Sequence, residues 1–169
     1  VNTVIAWVAQ YLLWVMAAGF AAVWLWAETS RGKIELAAQA VAGVVLMVIF
    51  LYIAKSVHHD PRPFVENPRI KPLFGHSRDD GFPSDHSLAA GLIAVLVCTR
   101  HRLLGIPFVA AAVAIAWARV AAHVHHLQDV LAGLLLGGLA AVLAWLLVRV
   151  LMARRRRRVG GGYARISRP

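Results

Sequence analysis

The chain has 169 residues, 60% of them apolar, with a net charge of +10 and a mean hydropathy of +0.66. Soluble domains hold roughly 45–50% apolar residues, so this composition excludes an ordinary water-soluble fold and points to a membrane protein. The apolar runs are continuous, without the alternation of strands about ten residues long, which excludes a β-barrel and leaves an all-α, polytopic transmembrane helical bundle.

In chain order, four stretches match the roughly 20 residues that a bilayer core requires: Val4 to Ala27, Ile34 to Ala54, Leu103 to Ala122 and Leu127 to Met152. The first is too long for a signal-peptide h-region and lacks a basic n-region, so no cleavable signal is read. The start at Val1 in place of Met reads as a processed, truncated or unusually initiated chain. A fifth stretch, Ser87 to Thr99, is 13 residues long. Extended to Ser84 as N-cap it becomes a short spanning helix whose polar first turn sits below the membrane surface. A re-entrant segment is the competing reading. Between the second and third helices lies one long polar segment, Ser56 to Pro83, which Phe64, Leu73, Phe74 and Phe82 can anchor as an ordered cap.

Basic residues set the expected orientation. With the Arg154 to Arg158 run in the cytoplasm, twelve of the eighteen Lys and Arg fall inside: Arg31, Lys33, Arg100, Arg102, Arg149, the five-Arg run, Arg165 and Arg168. The long loop, Lys55 and the HVHH segment then face outside. Five helices leave the N-terminus outside too, an arrangement that one further helix before Val1 would make more usual. The chain is divided into a membrane-embedded part, 1–153, and a basic cytoplasmic tail, 154–169, in which Val159 to Pro169 is Gly-rich and expected to be disordered. The pI of 11.3 does not imply nucleic-acid binding, because no folded basic domain accompanies it; the basic run is a topology anchor near anionic lipid. Gly133 and Gly137 form a GxxxG, read as intramolecular helix packing in preference to dimerisation. The single Cys98 excludes an intramolecular disulfide.

Titratable residues at membrane boundaries are costly and mark function. Lys55, Arg62 and Arg119, with the helix start at Ser84, describe an anion site suited to a phosphate ester or diphosphate. If the backbone is helical from 125 to 129, His125 and Asp129 stand one turn apart on one face, and the carboxylate orients the ring for nucleophilic attack. His86 is placed to protonate a leaving oxygen. A zinc site built from His123, His125, His126 and Asp129 is disfavoured, because ligands at i and i+2 diverge on a helix and the nearby cations repel a dication.

These residues resemble the signature of the type 2 phosphatidic acid phosphatase superfamily, K-x6-R-P, P-S-G-H and S-R-x5-H-x3-D. Here they read KSVHHDPRP (Lys55, Arg62, Pro63), PSDH (Pro83, Ser84, His86) and ARVAAHVHHLQD (Arg119, His125, Asp129). Asp85 replaces the family's glycine and Ala118 its serine; PRPF followed by GFPSDH resembles the bacitracin-resistance type undecaprenyl diphosphate phosphatases of bacteria. The superfamily usually has six helices, one more than counted here. The resemblance implies a multi-pass lipid phosphatase of the bacterial plasma membrane, with its site on the extracytoplasmic side. It implies His125 as nucleophile forming a phosphohistidine, His86 as acid and Asp129 as orienting group. Lys55, Arg62, Ser84 and Arg119 would bind phosphate, with no metal or other cofactor. A polyprenyl diphosphate is the expected substrate. Phosphatidic acid, phosphatidylglycerol phosphate and a prenyl-phosphoryl sugar phosphate suit the same chemistry, and a non-catalytic transporter or binder of anionic lipid is the reading from another class.

Overall fold

A computed structural model of the chain describes residues 1–166, with side chains through Arg155. The chain is a helical bundle. Helix α1 (Asn2–Ala22) continues into a π-helical turn, Val23–Ala27. Helix α2 (Ser30–Val57) begins at Thr29, whose Oγ1 accepts the Gly32 N–H at 3.1 Å and so satisfies one of the free amides of the first turn. A short helix α3 (Pro63–Glu66) lies in the long loop, followed by α4 (Asp85–Arg100), α5 (Arg102–Ala121) and α6 (Leu127–Ile166). The expected helices are therefore present, with their ends displaced by a few residues. The Gly-rich stretch expected to be disordered instead continues α6 to Ile166. No proline interrupts it before Pro169, and adding residues to an existing helix costs far less than nucleating one. Residues 167–169 lie outside the described ones.

Among the described residues, four segments are long and apolar enough to cross a membrane: Asn2–Ala27, Ser30–Val57, Arg102–Ala121 and Leu127–Arg155. Their outward faces carry exposed Trp7, Trp14, Trp26, Val41, Tyr52, Val113, Trp117 and Leu135. Such a surface would drive association in water and suits a bilayer. The 16-residue α4 is the pillar of the bundle, packed against α1, α2, α5 and α6, and much of its length is buried. Small residues allow this closeness. A Cβ on Gly133 would stand 2.7 Å from the Ser84 carbonyl oxygen, one on Gly91 would stand 2.5 Å from that of Leu134, and one on Gly137 would overlap that of Leu88. The GxxxG face is thus spent on α4 within the molecule.

The two ends of α4 are fixed differently. At its C-terminal end Arg100 grips Glu28 with Nε at 2.9 Å and Nη2 at 2.8 Å, and Nη1 reaches Glu35 at 3.3 Å. This side chain, counted from sequence among the topology-setting cations, is therefore also a clamp between α4 and the α1–α2 connection. At the other end the loop forms the ordered cap. Phe64, Leu73 and Phe74 pack on buried Ala9, Ala118, Ala122 and Val124, while Phe82 meets the His58 ring edge-on at 4.5 Å. A bridge between Pro61 and Asp80 and the Gly81 N–H donated to the Asp60 carbonyl at 2.8 Å draw the two loop ends together above α4.

Candidate active site

Four elements deliver polar side chains to one buried spot beneath the cap. Arg62 stands at the N-cap of α3, fixed by Pro63 at the first helical position. Arg119 ends α5, His125 lies in the α5–α6 turn, and Asp129 opens α6. Their exposures are 4%, 3%, 3% and 0%. Charges buried to this degree persist only where partners are held ready for them.

The partners define the chemistry. His125 Nδ1 is 3.3 Å from Asp129 Oδ2. Its Nε2 is 3.1 Å from Arg62 Nη1 and 3.2 Å from Arg119 Nη2. Guanidinium nitrogens can only donate, so Nε2 is the acceptor and the ring proton sits on Nδ1, donated to Asp129. Burial, then the charges of Arg119 and Arg62, push the His125 pKa down from 6.5 to about 3. The ring is accordingly neutral at physiological pH, with its lone pair aimed between two cations.

Backbone geometry here differs from the sequence expectation. His125 precedes α6 and is not helical, so the pair does not arise from two positions on one helix face. Asp129, in the first turn of α6, reaches back so that Oδ2 accepts the His126 N–H at 2.8 Å. This is the return half of a capping box, in which a first-turn carboxylate satisfies an amide at the helix start. One carboxylate both starts α6 and orients the histidine. The turn itself requires a left-handed residue, His123 at φ 60°, and its side chain is exposed.

Ser84 is fully buried at the N-cap of α4, yet its hydroxyl caps nothing. It accepts from Ser87 Oγ at 3.3 Å, and the Ser84 N–H donates to the Asp129 carbonyl at 3.1 Å, tying α4 to α6. His86, half-buried in the first turn of α4, lies within electrostatic range of Arg119, His125, His76 and Arg62. Lys55 occupies the last turn of α2, half-buried. The structure thus joins Arg62, Arg119, His125 and Asp129 directly, links Ser84 through the backbone and sets His86 nearby. It shows no hydrogen bond or ion pair from Lys55 among the described residues.

Two loop residues that sequence reasoning missed contact the same arginines. His76 Nε2 is 2.7 Å from Arg119 Nη2, and its pKa is lowered by burial and by Arg62 and Arg119, which suits it to accept that N–H. Asp79 Oδ1 accepts from Arg62 Nε at 3.2 Å and Nη2 at 3.1 Å. As for metals, Asp60, His126 and Asp129 each present one ligand-type atom within 4.8 Å of the others. This set differs from the one sequence suggests: Asp60 takes part, and His123 and His125 do not. Of these three, Asp129 is the one that meets His125, at Nδ1.

The PAP2 superfamily model matches residues 36–153. Among characterised relatives, the bacitracin transport permease protein BcrC of Bacillus licheniformis is 32% identical over 141 residues, covering 83% of this chain and 68% of that protein. The undecaprenyl-diphosphatase BcrC of Bacillus subtilis is 30% identical over 133 residues, covering 79% and 67%. Among solved structures, Aquifex aeolicus LpxE superposes with a TM-score of 0.66 at 20% identity, covering 85% of this chain and 82% of that one. The PAP2 type phosphatidylglycerolphosphate phosphatase of Bacillus subtilis gives 0.56 at 22% identity, covering 90% and 77%. The last two matches speak to the fold.

Proposed function

The chain belongs to the PAP2 superfamily of membrane phosphatases, and from that premise we propose that it hydrolyses a polyprenyl diphosphate, of the undecaprenyl diphosphate class, to the monophosphate and inorganic phosphate. The observation that carries this reading is the neutral His125, with Nδ1 on Asp129 and Nε2 presented to Arg62 and Arg119. The Nε2 lone pair attacks the terminal phosphorus in line. The bond from phosphorus to the bridging oxygen breaks, its electron pair leaves with the lipid monophosphate, and His86, protonated beside the bound diphosphate anion, supplies the proton. Arg62 and Arg119 release Nε2, and both guanidinium groups donate to the equatorial phosphoryl oxygens, where charge accumulates, Arg62 through its Nε and Nη2. Lys55 and Ser84 add donors. The Nδ1 proton stays on the Asp129 side, so the developing imidazolium is balanced by a buried carboxylate. Water then cleaves the P–N bond and releases inorganic phosphate.

Fixed cations supply the charge stabilisation that divalent ions supply in other phosphoryl transfers, so the scheme runs without metal. Residues 1–153 form the lipid phosphatase domain and 154–169 a cytoplasmic tail. The bias of basic residues supports a site on the extracytoplasmic face of a bacterial plasma membrane. The hydrocarbon tail then stays in the bilayer while the headgroup enters the recess.

The test is phosphate release by purified protein from undecaprenyl diphosphate, phosphatidic acid and phosphatidylglycerol phosphate, with and without EDTA, for wild type and His125→Ala. The expected result is a preference for the diphosphate, indifference to chelator and loss of turnover in the variant by a factor of about 1,000 or more. A preference for a glycerolipid replaces the substrate and keeps the chemistry. A relative bears the name of a transport permease, and the corresponding reading here, a binder without hydrolysis, requires His125→Ala to retain full function.

A further inference from the structure

The loop over the candidate cradle carries an anion of its own. Arg62 is held in place by its Nη1, which donates to the Val124 carbonyl at 2.8 Å and lies 3.1 Å from His125 Nε2. That leaves Nε and Nη2, the edge with two parallel donors, as its fork for an oxyanion. Both donors point at a single atom, Asp79 Oδ1, which also accepts from Ser77 Oγ. Three residues before Asp79 in the same loop, His76 engages Arg119. One four-residue segment thus occupies both arginines.

We infer that Asp79 is an intramolecular substitute for the substrate's phosphate: it leaves the Arg62 fork when a phosphate binds and returns to it as inorganic phosphate departs. The inference rests on the reading above that Arg62 grips the phosphate. Two features favour exchange over a permanent pair. The Asp79 side chain is 58% exposed against 5% for Arg62, so the carboxylate can retract into water with little change in solvation while the guanidinium stays put. Asp79 also offers the fork one shared oxygen, whereas a phosphate offers two in the spacing of parallel N–H donors.

A tethered competitor has a fixed effective concentration, so it weakens the apparent binding of every phosphate by one common factor. That factor falls equally on substrate and product. It keeps the two arginines from retaining inorganic phosphate after turnover, and uniform binding of this kind contributes nothing to the chemical step.

The experiment uses the full chain in detergent. KM for undecaprenyl diphosphate and the competitive inhibition constant of inorganic phosphate are measured for wild type, Asp79→Ala and Asp79→Glu. Phosphate binding is read in parallel by thermal shift, which needs no turnover. Asp79→Ala is expected to lower both constants by a common factor of about three to ten, the scale of one partly exposed ion pair, with the effect on KM larger than on kcat. Asp79→Glu, which keeps the carboxylate, should stay near wild type. Constants that rise or stay fixed in Asp79→Ala make Asp79 a mere support for Arg62 and overturn the inference. An Arg62→Ala arm separates the two failures. Undiminished phosphate binding there removes the cradle reading itself, whereas its loss without tightening in Asp79→Ala removes only the exchange.

Discussion

Acid should destabilise this protein through His125. The buried ring has a pKa of about 3, pushed down from 6.5 by burial and then by Arg119 and Arg62, while in the unfolded chain it titrates near its ordinary value. The contribution of the neutral ring to stability is therefore complete above 6.5. As pH falls below 6.5 the unfolded state binds a proton that the folded state refuses, and the contribution is lost progressively towards about 3. One proton corresponds to ~1.4 kcal/mol per pH unit, so by about pH 4.5 the loss from this one group is about 2–3 kcal/mol. The assay is denaturant or thermal unfolding of the detergent-solubilised protein across that range, comparing wild type with His125→Asn, whose amide retains a donor for Asp129 but does not titrate. His76, also lowered by burial, acts in the same direction in both proteins and largely cancels in the difference. The wild-type curve should fall more steeply, by the slope of one proton. Parallel curves would refute the reasoning, because proton uptake on unfolding would then lie elsewhere and the ring would not be held neutral.

Three further outcomes follow from packing and backbone. Gly137→Ala meets the Leu88 backbone carbonyl and should cost about 1–3 kcal/mol or more in unfolding experiments, whereas Gly138→Ala, whose new Cβ stands 3.4 Å from the Val95 side chain, should cost little. Glu28→Gln removes the charge that Arg100 grips bidentately and should lower stability by about 1–3 kcal/mol; Arg31→Ala, which breaks a pair whose arginine is 59% exposed, should change it by less than about 1 kcal/mol. At the left-handed position 123, His123→Val should destabilise by about 1–2 kcal/mol while His123→Gly is tolerated, and hydrolysis by the glycine variant should match wild type, because the His123 ring is no part of the site.

The helices were legible because membrane spans announce themselves as long apolar runs, and Arg62, Arg119, His125 and Asp129 because their spacing marks them. What joins His125 to Asp129 was not legible in the same way. The i to i+4 spacing suggested a shared helix face, whereas the pair is made by a carboxylate returning from the first turn of α6 to a residue outside it. Sequence also gave no sign of His76 and Asp79. Their contacts span 43 and 17 residues and depend on the path of a loop set by where Phe64, Leu73 and Phe74 find a buried seat. Ser84 was expected to cap α4 with its hydroxyl. It holds the right position, but the oxygen turns to Ser87 and the first turn keeps its amides free of a side-chain cap.

The shortness of α4 connects fold to chemistry. At about 1.5 Å per residue its 16 residues span roughly 24 Å, less than the roughly 30 Å of a hydrocarbon core. Glu28 and Glu35 hold Arg100 at one end, next to the connection between α1 and α2. The other end, with Ser84 and His86, therefore stops short of the surface that its longer neighbours reach. The space above it is filled by the loop that carries Arg62 and Asp79, and from the sides come Arg119 and His125. A helix a turn or two longer would carry Ser84 and His86 up into the volume the loop now occupies and leave no recess beneath it. Gly91, Gly133 and Gly137 let α6 lie directly on this pillar, which fixes Asp129 against the Ser84 N–H. The position of the histidine thus depends on helix length at one end of α4 and on the absence of side chains along its flank.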